Sequence, residues 1–219
     1  MDVRDLLLNL LQSDDSPATA RWLAQALPQA AEGRLNDLLT AYTSASRALG
    51  LRPLNAPPEE HLESWTLEDA GRLLCLLERH ASGHDAALVD DATACYEQGD
   101  AREQASWLRG AALLPGPERF LPVVVDACRT NILTVFEAVA CENPYPARHF
   151  PELHFNQMVM KALFNGVALT RIVGLEVRAN PTLARIARDF ADERTAAGRP
   201  VPGDLGLATV AAPAQRTES

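Results

Sequence analysis

The chain has 219 residues, 47% of them hydrophobic, and a formal net charge of −9. That length and apolar content support one domain, or at most two small ones, with a real core. An acidic chain without a basic run does not attract a phosphate backbone, so nucleic acid is set aside as a partner.

The first element is an amphipathic helix over 2–12, in "MDVRDLLLNLLQSDD". It lacks the basic flank and small-residue cleavage site of a signal peptide. No apolar run approaches the ~18 residues that span a bilayer. Direct membrane insertion is therefore not expected, and the reading is a cytoplasmic protein. A second helix covers 16–31 with Trp22. A third covers 34–49, its stripe made by Leu35, Leu38, Leu39, Tyr42 and Leu49, with Gly50 as the stop. The proline-rich "LRPLNAPPEE" follows.

Thr66 with Asp69 opens the next helix in the manner of a capping box, and Leu67, Ala70, Leu73, Leu74 and Leu77 form its inward face. Asp85 is a candidate cap for a helix ending at Gly99, and Asp100 for one ending before "PGP" at 115–117. "ERFLPVVVDACR" and "NILTVFEAVACE" come next, with Asn131 as a candidate N-cap. "VDDATAC" at 89–95 and "VVDAC" at 124–128 recur about 35 residues apart, a spacing typical of helical-hairpin arrays. The fold class is all-α: a HEAT-like α-solenoid, or an irregular helical bundle of antiparallel pairs. Cys75, Cys95, Cys128 and Cys141 form no CxxC and sit in apolar helical segments, as buried small hydrophobes in a reducing compartment do.

"ENPYPARHFP" is a stiff loop that would present Tyr145, His149 and Phe150. It leads into a helix over 152–165. At 100° per residue Phe155, Met158, Val159 and Ala162 share one face, and Met160 and Phe164 another. His154, Gln157, Lys161 and Asn165 fall on a narrow stripe between them. With apolar flanks on both sides the helix reads as internal, so the stripe is either a pocket lining or a wet face. A buried lysine would need a carboxylate or an anionic ligand. Helix 131–141 offers Asn131, Thr134 and Glu137 on one face, and Glu137 would meet Lys161 or pair with Arg129. Asn180 and Pro181 open the last helix, whose inward face is Leu183, Ile186, Ala187 and Phe190. Residues 1–198 are expected to form a single all-helical domain, and the Pro/Gly/Ala-rich 199–219 a largely disordered tail.

Motifs for chemistry are sparse. His80, His84 and Asp85 match no strong zinc spacing. The chain has no HExxH, no phosphate-binding glycine loop and no nucleophile elbow. Neither a metal nor a cofactor is expected.

The C-terminal half resembles the EboA family, often described as metabolite traffic proteins. "DACRTN" (126–131), "VFEAVA" (135–140), "ENPYP" (142–146), "FPE" (150–152), "FNQMVMKALF" (155–164) and "RANP" (178–181) carry the resemblance, in order, over some 55 residues. Position 155 is Phe where the family often has Trp, a departure that affects packing more than function. The resemblance implies a role in making or moving a natural product, in company with enzymes of the same gene cluster and a membrane prenyltransferase-like protein. It carries no catalytic residues. The matching positions that matter most are Arg129, Asn131, Glu137, Asn143, Tyr145, Asn156, Gln157, Lys161, Arg178 and Asn180, to which the loop adds His149.

The leading expectation is a non-enzymatic accessory protein that binds a small polar or phosphorylated metabolite, or partner proteins, with Lys161 meeting an anionic group. A pathway enzyme using Glu137 or His149 as base with Lys161 as anchor is the alternative, and a pure protein–protein scaffold a third.

Overall fold

The computed structural model describes residues 2–56 and 62–209. Residues 57–60 of the proline-rich connection, and 210–219 of the expected tail, lie outside the described residues. The chain divides into two compact units, 1–138 and 139–219. Among the described residues the secondary structure is helical, with one isolated bridge between Pro53 and Thr66 in place of any strand.

The first unit contains α1 (Val3–Gln12), α2 (Pro17–Glu32), α3 (Leu35–Ala48), α4 (Leu67–Ala81), α5 (Asp85–Glu97), α6 (Ala101–Gly110) and, after two 3₁₀ turns, α7 (Leu121–Ala127). The periodicity therefore located the first three helices to within a residue at each end. Helix α4 packs against α1, α2, α3, α5 and α6. That is a bundle around a central helix; in a solenoid each repeat would touch only its neighbours.

Centrality changes what α4 must bury. Its expected inward face is buried, but so are Glu68, Asp69 and Arg72 on the other side. Buried charge is tolerated only when paired and hydrogen-bonded. Arg72 Nη1 lies 3.3 Å from Glu68 Oε1 and donates to Ser106 Oγ at 2.8 Å. Ser106 Oγ in turn donates to Asp69 Oδ1 at 2.6 Å, which also accepts from Arg109 at 3.0 Å. Arg102 reaches Glu68 at 2.7 Å. Gly71 sits mid-helix because a Cβ there would collide with the Leu49 and Trp22 side chains, so it lets α4 approach α2 and α3 closely.

The capping boxes at Thr66/Asp69 and Asp100/Glu103 both form. Two expected caps do not. His84, not Asp85, is the N-cap of α5. Asp85 is the first helical residue, and its carboxylate faces Arg119 at 3.2 Å. Asn131 is exposed and stays outside α8 (Leu133–Ala140), while Thr130 Oγ1 accepts from Ile132 N at 3.1 Å.

Helix α8 carries the chain into the second unit. There follow α9 (Tyr145–His149), α10 (Glu152–Asn165), a 3₁₀ turn at Leu169–Arg171, α11 (Leu175–Arg178), α12 (Pro181–Ala196) and α13 (Gly206–Thr209). Gly166, at φ 70°, ends α10 in the left-handed region that a glycine adopts without strain. Helices α10 and α13 pack on α12, and α13 also on α11. Leu183, Ala187 and Phe190 face inward as expected, with Ala184 beside them and Ile186 only half-buried. The segment before Thr209 is folded: Leu205 and Ala208 are buried, and Asp204 Oδ2 accepts from Leu169 N at 2.6 Å.

Candidate functional site

Most of the residues singled out in the sequence meet in the second unit, around the loop from Glu142 to Pro151. Asn143 is buried, and its Oδ1 accepts from Tyr145 N at 2.9 Å, a turn that launches α9 inside the expected loop. Pro146 falls in the first turn of α9, where no amide donor is required. The Tyr145 ring stacks near His149, centroids 4.6 Å apart, and meets Phe150 edge-on at 6.2 Å.

Two arginines hold the loop at its ends. Glu142 has φ 50°, an uncommon value for a non-glycine residue, and a two-pronged ion pair with Arg171 at 2.8 and 2.9 Å supports it there. At the far end Arg178 donates to Ala147 O at 2.5 Å and to Phe150 O at 2.7 Å, satisfying carbonyls that α9 leaves open. Its guanidinium also lies over the Phe155 ring, 4.7 Å from the centroid. Asn180 caps α12 through Leu183 N at 2.9 Å and exchanges amide hydrogen bonds with buried Asn156. Thus Asn143, Tyr145, His149, Asn156, Arg178 and Asn180 belong to one clamped platform.

Gln157 and Lys161 lie on the outward side of α10, exposed and half-buried respectively. Lys161 is the only lysine of the chain. Of the two expected apolar flanks, Phe155, Met158, Val159, Ala162 and Met160 are buried, and only Phe164 is open. Phe164 is 67% exposed, although it meets Phe190 edge-on at 4.8 Å, and Leu153 is 63% exposed. At 100° per residue Leu153 and Phe164 share a face with Gln157 beside them. Helix α10 thus shows solvent a strip that is apolar and polar at once.

The other three sequence-selected residues lie in the first unit. Arg129 is exposed and pairs with Asp126 at 2.8 Å. Asn131 is exposed, and Glu137 is half-buried on α8.

Sequence reasoning passed over a concavity in the second unit. A pocket of about 370 Å³ is lined by Leu169, Thr170, Ile172, Leu175, Glu176 and Leu207. Its walls are the 3₁₀ turn, α11 and α13, all too short to show a period. The one signal in "VALTRIVGLEV" was Gly174, whose φ of 73° turns the chain into α11. A second, wider groove of about 800 Å³ runs between α2 and α3, past Trp22, Ser44, Arg21 and Arg47.

Among the described residues no group of three or more His, Cys, Asp or Glu is placed to hold a metal ion. Burial pushes the Cys95 thiol up to about 12, helped by the nearby Asp91 carboxylate, and raises Cys75 further still. Both stay protonated, which removes them as nucleophiles.

Fold and site together define an all-helical protein whose most specific motifs build a clamped loop beside an amphipathic helix face. The chain belongs to the EboA family: the family model described as metabolite traffic protein EboA matches residues 3–209. No curated protein and no solved structure matches it.

Proposed function

We infer that this is a non-enzymatic accessory protein of metabolite traffic in natural-product biosynthesis, acting in the cytoplasm and binding both a metabolite precursor and proteins of the same route. The family supplies the metabolite traffic role. The observation that carries the rest is the outward strip of α10, where Lys161 and Gln157 lie beside exposed Leu153 and Phe164 on a platform locked by Arg178. A rigid surface with one point charge suits recognition of an anionic group, because little ordering entropy opposes binding. In a chain whose other basic residues are all arginines, the compact ammonium of Lys161 is a distinct binding element. The exposed apolar pair fits a protein partner, which includes a cytoplasmic face of a prenyltransferase-like membrane protein. Asn143 and Arg178 are engaged in holding backbone, which favours a platform over an acid–base constellation.

A thermal-shift screen of the full chain against sugar phosphates, cyclitol phosphates and isoprenoid phosphates tests this. A ligand at a hundredfold its Kd adds about 2.7 kcal/mol. The expected hit disappears in Lys161→Ala, which keeps its unliganded melting temperature, and the hit protects Lys161 from amine acylation in the native protein. A hit unchanged in Lys161→Ala, or turnover of the bound phosphate into product, overturns the reading.

A further inference from the structure

The pocket formed by Leu169, Ile172, Leu175 and Leu207 is separate from the Lys161 strip and has its own chemistry. Leu169, Ile172 and Leu175 are nearly fully buried, while Leu207, on α13, is 43% exposed. A concavity of about 370 Å³ walled by leucine and isoleucine is of the size that small ligands occupy.

Charge then narrows the ligand. Glu176 lines the pocket, and among the described residues it has no cationic partner. The cations that neighbour it in sequence are committed elsewhere: Arg171 to Glu142 at 2.8 Å, and Arg178 to the carbonyls of Ala147 and Phe150. Asp204, on the segment leading to α13, accepts from Leu169 N rather than pairing with a cation. Among the described residues, the only formal charge on the lining is thus negative. Thr170 adds one hydroxyl. An anionic ligand would be repelled by Glu176, and a pure hydrocarbon would gain nothing from it. An ammonium on an apolar body satisfies both walls: its N–H groups donate to Glu176 and to Thr170 Oγ1, and the body covers the leucines.

We propose that this pocket binds a small amphiphilic amine, with Glu176 as the counter-charge and Leu169, Ile172, Leu175 and Leu207 around its apolar part. No residue of α10 lines the pocket, so either site can fail without the other.

The test is isothermal titration of the full chain with three probes of one shape: 3-phenylpropylamine, 3-phenylpropanol and 3-phenylpropionate. The amine binds, the alcohol binds at least about tenfold more weakly, and the carboxylate gives no heat. Glu176→Gln brings the amine down to the level of the alcohol and leaves the alcohol unchanged. Glu176 is exposed, so that variant folds. Leu207→Trp, which fills the rim, removes binding of both, and Lys161→Ala alters neither. Equal affinity for amine and alcohol, an amine affinity indifferent to Glu176→Gln, or no binding of any probe at millimolar concentration overturns the proposal.

Discussion

Asn156 and Asn180 grip each other by both ends of their amides: Asn156 Nδ2 donates to Asn180 Oδ1 at 3.2 Å, and Asn180 Nδ2 donates to Asn156 Oδ1 at 2.9 Å. The pair ties α10 to the N-terminus of α12, because the same Asn180 oxygen caps that helix. Asn180→Ala removes the cap and strands the Asn156 amide, which is 4% exposed. The expected cost is about 2–4 kcal/mol, roughly 1 from the cap and 1–3 from the unsatisfied amide. Asn156→Ala combined with Asn180→Ala should cost less than the sum of the two single changes in urea melts. Simple additivity would show the two amides to be independent.

The Arg178 clamp is geometric, so charge alone does not replace it. A lysine there cannot serve the Ala147 and Phe150 carbonyls together while lying flat on Phe155. Arg178→Lys should cost about 2 kcal/mol and loosen the loop. Exposed Arg148 lies in that loop, and trypsin should cleave after it faster in the variant than in the parent. An unchanged cleavage rate would mean the clamp does not hold the loop.

In the first unit Arg79 is 6% exposed, and its Nε donates to Asp91 at 2.8 Å. Asp91→Ala leaves that guanidinium buried with, among the described residues, the Gly33 carbonyl as its remaining hydrogen-bond partner. The expected loss is about 3–5 kcal/mol, and replacing Arg79 by Met in the same chain should recover part of it. A loss below about 1 kcal/mol, the range of surface ion pairs, would show that water reaches the pair.

Alkaline stability should report on Cys95. Its folded pKa is raised from 9.0 to about 12. Between those values the unfolded chain gains a thiolate that the folded chain does not form, so stability present below pH ~9 is lost progressively toward pH ~12. Burial raises Cys75 and Tyr42 as well and adds to the same slope. Urea melts from pH 8 to 11 should fall less steeply for Cys95→Ala than for the parent. Identical slopes would place the alkaline loss elsewhere.

Gly71 offers a sign test of packing against propensity. Alanine is about 1 kcal/mol better in a helix interior, yet the Cβ would press on Leu49 and Trp22 in a full core. Gly71→Ala should therefore destabilise the protein, and a higher melting temperature would show that the Leu49 side chain yields freely.

Local features of this protein were legible in its sequence. Helical periodicity settled the all-helical class, and Thr66 with Asp69, Asp100, and Asn180 with Pro181 marked true helix starts. Each such signal closes within three or four residues, so the chain needs no distant partner to express it. The motifs "ENPYP", "FNQMVMKALF" and "RANP" likewise named the family and selected the residues of the loop platform. Only the tertiary structure decided which faces are buried. Helix α4 hides Glu68, Asp69 and Arg72 because Ser106, Arg102 and Arg109 come to them from α6, more than thirty residues away. Phe164, which periodicity placed on an inward flank of α10, is open, since amphipathic spacing says which residues share a face but not whether another helix covers it. The pocket at Glu176 joins segments too short to carry a period, brought together by the packing of α13 on α11 and α12 and by the Asp204–Leu169 hydrogen bond.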